Sequence, residues 1–185
     1  MPPQTTGSAP GMTQYTPHPY IMRLKAELRA LRPGWPDLEN AERLTRAFVA
    51  ATSHADLFQI RAARLALRRS NTPGVRQLAQ TLLEERRQIA QRLQSTLKVA
   101  AMDGQEVLIP YQLDARHEEI LNQLCQTADQ DFGATYIREQ ADAHAEAVRI
   151  FQFYGMCGEQ PAVRAFACLT LSCLESRLEE VQKLI

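Results

Sequence analysis

Residues 73–101 read PGVRQLAQTLLEERRQIAQRLQSTLKVAA, and this stretch decides the fold. Asn71-Thr72-Pro73 is a helix start: Thr72 is read as the N-cap, and Pro73 takes the first helical position, where its missing N–H costs nothing. Val75, Leu78, Leu82, Ile89, Leu93 and Leu97 then recur at the helical period and make one apolar face. A helix of about eight turns with such a face needs other helices to bury it. Near the middle of the stripe the period asks for an apolar residue, and the sequence supplies Glu85 and Arg86 instead.

The same pattern extends in both directions. Clusters of β-branched residues are absent, and Ala, Leu, Gln, Glu and Arg dominate. Upstream, Ile21, Leu24, Leu28 and Leu31 place a helix at about 19–31, stopped by Pro33-Gly34. A second is expected from an Asp37 cap to about Thr52, and Ser53 is read as the cap of a third, from about 54 to 70. The helix from 73 ends at Asp103-Gly104, and residues 104–112 form a connection. Asp114 caps a shorter helix to about Thr127. Asp129 caps a long one that ends near Gly155–Gly158, and the last helix runs from Gln160 or Pro161 to the C-terminus. The expectation is an all-α, up-and-down four-helix bundle, with extra N-terminal helices and a short helix in the long connection. Seven of the ten prolines fall in the first 36 residues, and residues 1–18 mix Pro, Gly, Thr, Ser and Gln. They read as a flexible arm, with residues 19–185 as one bundle domain.

Composition excludes more than it identifies. The 185 residues carry 21 Lys plus Arg against 21 Asp plus Glu, so the net charge is zero and no nucleic-acid footprint is expected. Aromatics are 6%, with one tryptophan, which argues against an aromatic-lined platform. No window approaches 18 consecutive apolar residues. The N-terminus has neither a basic start nor an apolar run, so it is not read as a signal peptide and a cytoplasmic protein is expected. Cys125, Cys157, Cys168 and Cys173 have no metal-binding spacing; they read as small apolar residues on helix faces, with a Cys157–Cys168 bridge as the alternative. Arg61, Arg64, Arg68 and Arg69 lie on one helix face, with Arg76, Arg86 and Arg87 downstream. This is either a solvated face or a patch for an acidic partner.

Polar residues recur inside the apolar stripes: Gln59 beside Phe58 and Ile60, then Glu85 and Arg86, then Gln140 and His144 at a stripe edge, then Arg177 beside Leu174 and Leu178. If their heights match, they meet inside the bundle. Di-iron and di-manganese bundles use Glu from two helices and Glu-x-x-His from the other two. Here Ala141 precedes His144 by three residues, Ala51 precedes His54, and Asp114 precedes His117, so that pattern fails. There is no nucleophile elbow, P-loop or dinucleotide fingerprint.

From about residue 54 to 184 the chain resembles the uncharacterised ferritin-like family called domain of unknown function 4142. The resemblance is carried by Leu57-Phe58-Gln59-Ile60 with Leu65-Ala66-Leu67, and by Val75-Arg76-Gln77-Leu78-Ala79. It continues through Phe132-Gly133-Ala134-Thr135-Tyr136-Ile137 with His144, and Pro161-Ala162-Val163-Arg164-Ala165-Phe166-Ala167 followed by Leu171 and Leu174. The resemblance implies a metal or proton site, with Glu at 59, Asp-His at 85–86 and His at 144 and 177. This chain keeps His144, has Glu85 as a conservative change, and carries Gln59, Arg86 and Arg177 in the other places. The family is usually exported, which implies a periplasmic location if this is a mature form.

Two readings of Arg86 and Arg177 stand at this point. They replace a cation and pair with Glu85, Glu175 or a neighbouring carboxylate, or they extend from the stripe edges into solvent. The function expected is that of a non-enzymatic bundle with a structural or interaction role, without cofactor. Its partner would be an unidentified protein or a second copy, and the helix at 19–31 would be either a lid on the core or an association surface. The alternative is a metal-binding protein with a degenerate site around Glu85 and His144.

Overall fold

A computed structural model describes residue 26, residues 41–100 and residues 107–185. Helix is the only regular secondary structure among the described residues. The helices are α1 (Ala41–Arg69), α2 (Pro73–Ala100), α3 (Ala115–Gln126), α4 (Asp129–Cys157) and α5 (Pro161–Gln182). The arm, the Asp37 cap and the Asp103-Gly104 stop lie outside the described residues, as does the helix expected at 19–31 except Ala26, which is helical. No helix among the described residues is long and apolar enough to cross a membrane.

Four long helices close a ring in which α1 packs on α2 and α4, and α5 packs on α4 and α2. Neighbours in the ring run antiparallel. At one end the Thr45 and Tyr154 hydroxyls hydrogen-bond at 2.7 Å, and Phe48 stacks on Tyr154 with centroids 4.2 Å apart. At the other end Arg69 pairs with Asp129. The long connection therefore carries the chain between α2 and α4, which point the same way, and α3 within it lies mainly on α1.

Local chemistry accounts for most boundaries. The Asp114 side chain accepts from the His117 N–H at 2.9 Å and starts α3. Gln160 accepts from the Val163 N–H at 2.7 Å, with Pro161 following, and starts α5. Gly158 ends α4 by close approach: a Cβ there would stand 2.6 Å from the Tyr154 carbonyl oxygen.

Three expectations are corrected. Ser53 caps nothing, because residues 41–69 are one helix; its hydroxyl donates back to the Val49 carbonyl at 2.7 Å, four residues earlier. Asp129 is the first residue of α4 rather than its cap; Ala128 holds the cap position without a side-chain bond, and Asp129 pairs with Arg69 while favouring the helix N-terminus by its charge. None of the four cysteines is in a disulfide, so Cys157 and Cys168 form no bridge, and Cys125, Cys168 and Cys173 are exposed.

Arg69 is no part of a solvated face. Its guanidinium donates to the carbonyls of Leu124, Cys125 and Thr127 at 3.3, 3.0 and 2.7 Å, and lies 4.5 Å from the Phe132 ring centroid. It thus satisfies the orphan carbonyls at the end of α3 and ties α3 and α4 to α1. Arg69→Ala is expected to destabilise by about 1–3 kcal/mol, the cost of stranding such acceptors. Urea unfolding monitored by circular dichroism measures it. Arg76 is spent likewise on the Leu67 and Ser70 carbonyls, which leaves Arg61, Arg64 and Arg68 as the exposed arginines of the four-arginine face of α1.

Candidate functional site

The apolar core is divided in two. One cluster holds Phe48, Ile89, Leu93, Phe151, Tyr154, Phe166 and Leu174; the other holds Phe58, Leu78, Leu82, Phe132, Tyr136 and Val181. On every long helix the change from one cluster to the other falls at polar positions. These are Thr52, Asp56 and Gln59 on α1, Glu85 and Arg86 on α2, Gln140 and His144 on α4, and Arg177 on α5. The stripe interruptions of the sequence thus share one level of the bundle.

Arg86 is the largest buried side chain of this layer, 2% exposed. Burial depresses the guanidinium pKa, and Asp56 opposes that. Arg86 Nη1 donates to Asp56 Oδ1 at 3.4 Å across the α1–α2 interface. The Asp56 carboxyl is itself buried, and desolvation pushes its pKa up to about 6 against the pull of Arg86. Asp56 had no part in the sequence reading, yet it is the direct partner of Arg86.

His144 and Gln140 are fully buried, not at a stripe edge. The His144 Nδ1 lies 2.7 Å from the Gln140 carbonyl oxygen, which can only accept, so the proton sits on Nδ1 and Nε2 carries the lone pair. Burial, with the positive charge of Arg86 nearby, lowers the His144 pKa to about 3. The ring is neutral throughout the physiological range. Burial likewise raises the Tyr136 hydroxyl.

Arg177 and Glu85 stand apart from this buried group. They are about one fifth exposed and form a two-pronged pair between α5 and α2, with Arg177 Nε donating to Glu85 Oε2 at 3.0 Å and Nη2 to Oε1. Arg177 also pairs with Glu180. Glu175 accepts from Gln152 at 3.0 Å instead. The structure therefore seals Gln59, Arg86 and His144 inside and holds Glu85 with Arg177 at the margin, with the buried Arg86–Asp56 pair separate from the marginal Glu85–Arg177–Glu180 group.

The buried layer is rich in unmatched polar atoms. Among the described residues no hydrogen-bond partner reaches Thr52 Oγ1, Asp56 Oδ2, Arg86 Nε, Tyr136 Oη, His144 Nε2 or either amide atom of Gln59 and Gln140. Nearly all buried polar groups in folded proteins are matched, so a concentration of exceptions marks a special region.

The arrangement does not suit a cation. His144 Nε2 is a ligand-type atom, but the charge that acts most on the ring is the Arg86 guanidinium. Asp56 is engaged by Arg86, and Glu85 is clamped by Arg177. Among the described residues no group of three or more His, Cys, Asp or Glu side chains is placed to hold a metal ion.

The sequence model of a family described as Domain of unknown function (DUF4142) matches residues 36–184. No curated protein and no solved structure matches the chain.

Proposed function

The chain belongs to the DUF4142 family, and from that premise we propose that it is a non-enzymatic bundle of ferritin-like type acting through its surface, in a structural or protein-interaction role. The ferritin-like reading is supported by the single long crossover between two helices of the same direction. The observation that carries the functional reading is Arg86. A permanent positive charge, held by Asp56 and acting on the buried His144 imidazole, occupies the level where a bundle of this type would gather its ligands. Burial keeps His144 neutral, and this charge adds to that effect and repels a cation. An imidazole with so low a pKa is a poor general base at neutral pH.

A role at the surface is supported by α5. From Ala165 to Ser176 its exposed residues are Ala165, Cys168, Leu169, Ser172, Cys173 and Ser176, all uncharged, and Leu169 is 78% exposed. A helix face without charge is an unusual feature to present to water alone. Elemental analysis of the purified chain tests the proposal. It is expected to give only substoichiometric traces of iron, zinc, manganese or copper, the same in the wild type and in His144→Ala. Near-stoichiometric metal that disappears in His144→Ala would overturn the reading in favour of a metal-binding protein.

A further inference from the structure

The exposed side of α5 is ordered by charge. Glu159, just before the helix, and Arg164, near its start, stand at one end, and Glu179, Glu180 and Lys183 stand at the other. Between Ala165 and Ser176 every exposed residue is uncharged. Along the chain the exposed charges thus run negative, positive, none, negative, positive. Read backward, that series is the complement of itself. Glu159, Arg164, Glu179 and Lys183 take no part in the ion pairs among the described residues. Arg164 makes one long bond, to the Gly158 carbonyl at 3.5 Å.

The spacing on this side is that of a helix pair. Ala165, Leu169, Ser172, Ser176, Glu179 and Lys183 follow one another at alternating steps of four and three, and all are exposed. The direction of a partner helix follows from the charges. A parallel second copy would set Arg164 against Arg164 and Glu179 against Glu179. An antiparallel one, centred on the middle of the uncharged run between Thr170 and Leu171, sets Leu169 against Ser172 of the second copy and Ala165 against Ser176. Arg164 and Glu179 of the second copy then lie on the same flank, roughly 3 Å apart along the axis, and Glu159 comes level with Lys183. Two-fold symmetry makes each pair twice. A strip about 33 Å long and one helix wide is a small interface, suited to a reversible dimer.

We propose that this side of α5 binds a second copy of the same chain, antiparallel, in a reversible two-fold dimer with Leu169 at its seam and Arg164–Glu179 pairs between the copies. The proposal names the partner of the surface role argued above and rests on that role. A foreign partner would need no self-complementary order of charge.

Sedimentation equilibrium of the full chain tests it, in reducing buffer so that the exposed cysteines cannot cross-link. A monomer–dimer equilibrium with a dissociation constant between about 1 μM and 1 mM is expected. Leu169→Glu sets like charges across the two-fold axis and should leave a monomer. Arg164→Glu and Glu179→Arg should each weaken the dimer about tenfold, because both symmetric pairs turn from attraction to repulsion. Each change suits the helix dipole at its own end of α5, so both variants should stay helical by circular dichroism. Mixed in equal amounts, these two variants should associate as well as the wild type, since each offers the charge that the other lacks. The proposal is overturned if the wild type is monomeric at about 1 mM, if Leu169→Glu dimerises like the wild type, or if the mixture associates no better than either variant alone. A monomer without metal would remove the dimer and leave a foreign partner on this face, whereas a metal-loaded chain would remove the surface role itself.

Discussion

Asp56→Leu is expected to lower the unfolding free energy by about 3–5 kcal/mol, and Arg86→Met by a similar amount, because each leaves one charge of a buried pair without its counter-charge. Asp56→Leu is the more informative single change. It strands a guanidinium that is 2% exposed and whose Nε already lacks a partner. Glu85, the residue before Arg86 on the same helix, cannot step in, since it is held in both oxygens by Arg177. The double variant Asp56→Leu/Arg86→Met should recover most of the loss, because the desolvation of both charges disappears with them. Urea unfolding of the four chains at neutral pH gives the cycle directly. Additive losses would mean that Arg86 and Asp56 do not depend on each other. Full recovery in the double variant would assign the pair to the alignment of α1 against α2 rather than to net stability.

That pair also shows where a sequence can and cannot be read. The interruption of the α2 stripe at Glu85-Arg86 was legible, since a strict helical period leaves no other place for an apolar residue. The depth of Arg86 was not, because a guanidinium on a stripe edge can equally reach water. Asp56 was hidden by one wrong boundary. Ser53 looks like a helix cap, and a helix restarted there loses its phase with the residues before it. In the continuous helix the inward line of Phe48, Ala55, Ala62 and Ala66 runs on through Thr52, Asp56, Gln59 and Ala63, all buried. The deciding fact was the hydroxyl of Ser53 turning back to Val49, a bond that competes with capping and leaves no mark in composition. The role of Arg69 was hidden differently: it is one of four arginines within nine positions, and only the tertiary placement of the end of α3 singles it out.

On acidification the wild type is expected to lose stability relative to His144→Gln, by about 3 kcal/mol between about pH 7.5 and about pH 4. The sign follows from where the proton sits. The folded-state pKa of His144 is depressed to about 3, against an ordinary 6.5 in the unfolded chain. Between these values the unfolded chain binds a proton that the folded chain refuses, so the stability due to the neutral ring is complete above about pH 6.5 and drains away as the pH falls toward 3. Asp56 acts in the opposite sense. Its folded-state pKa is raised from 3.8 to about 6, so in that window the folded chain holds the extra proton and acid stabilises it; this contribution is full below 3.8 and lost as pH rises through 6. The two effects overlap and partly cancel in the wild type, whose own profile should be shallow between about pH 4 and 6. Glutamine at 144 keeps a donor for the Gln140 carbonyl and removes the titration. The variant should therefore uncover the contribution of Asp56, to which Glu139, raised by burial, adds in the same sense, and grow more stable toward pH 4. Urea midpoints of the two chains across this range measure the difference. Parallel curves would show that His144 titrates equally in the folded and unfolded chains, and the charge of Arg86 could then no longer be what governs the centre of the bundle.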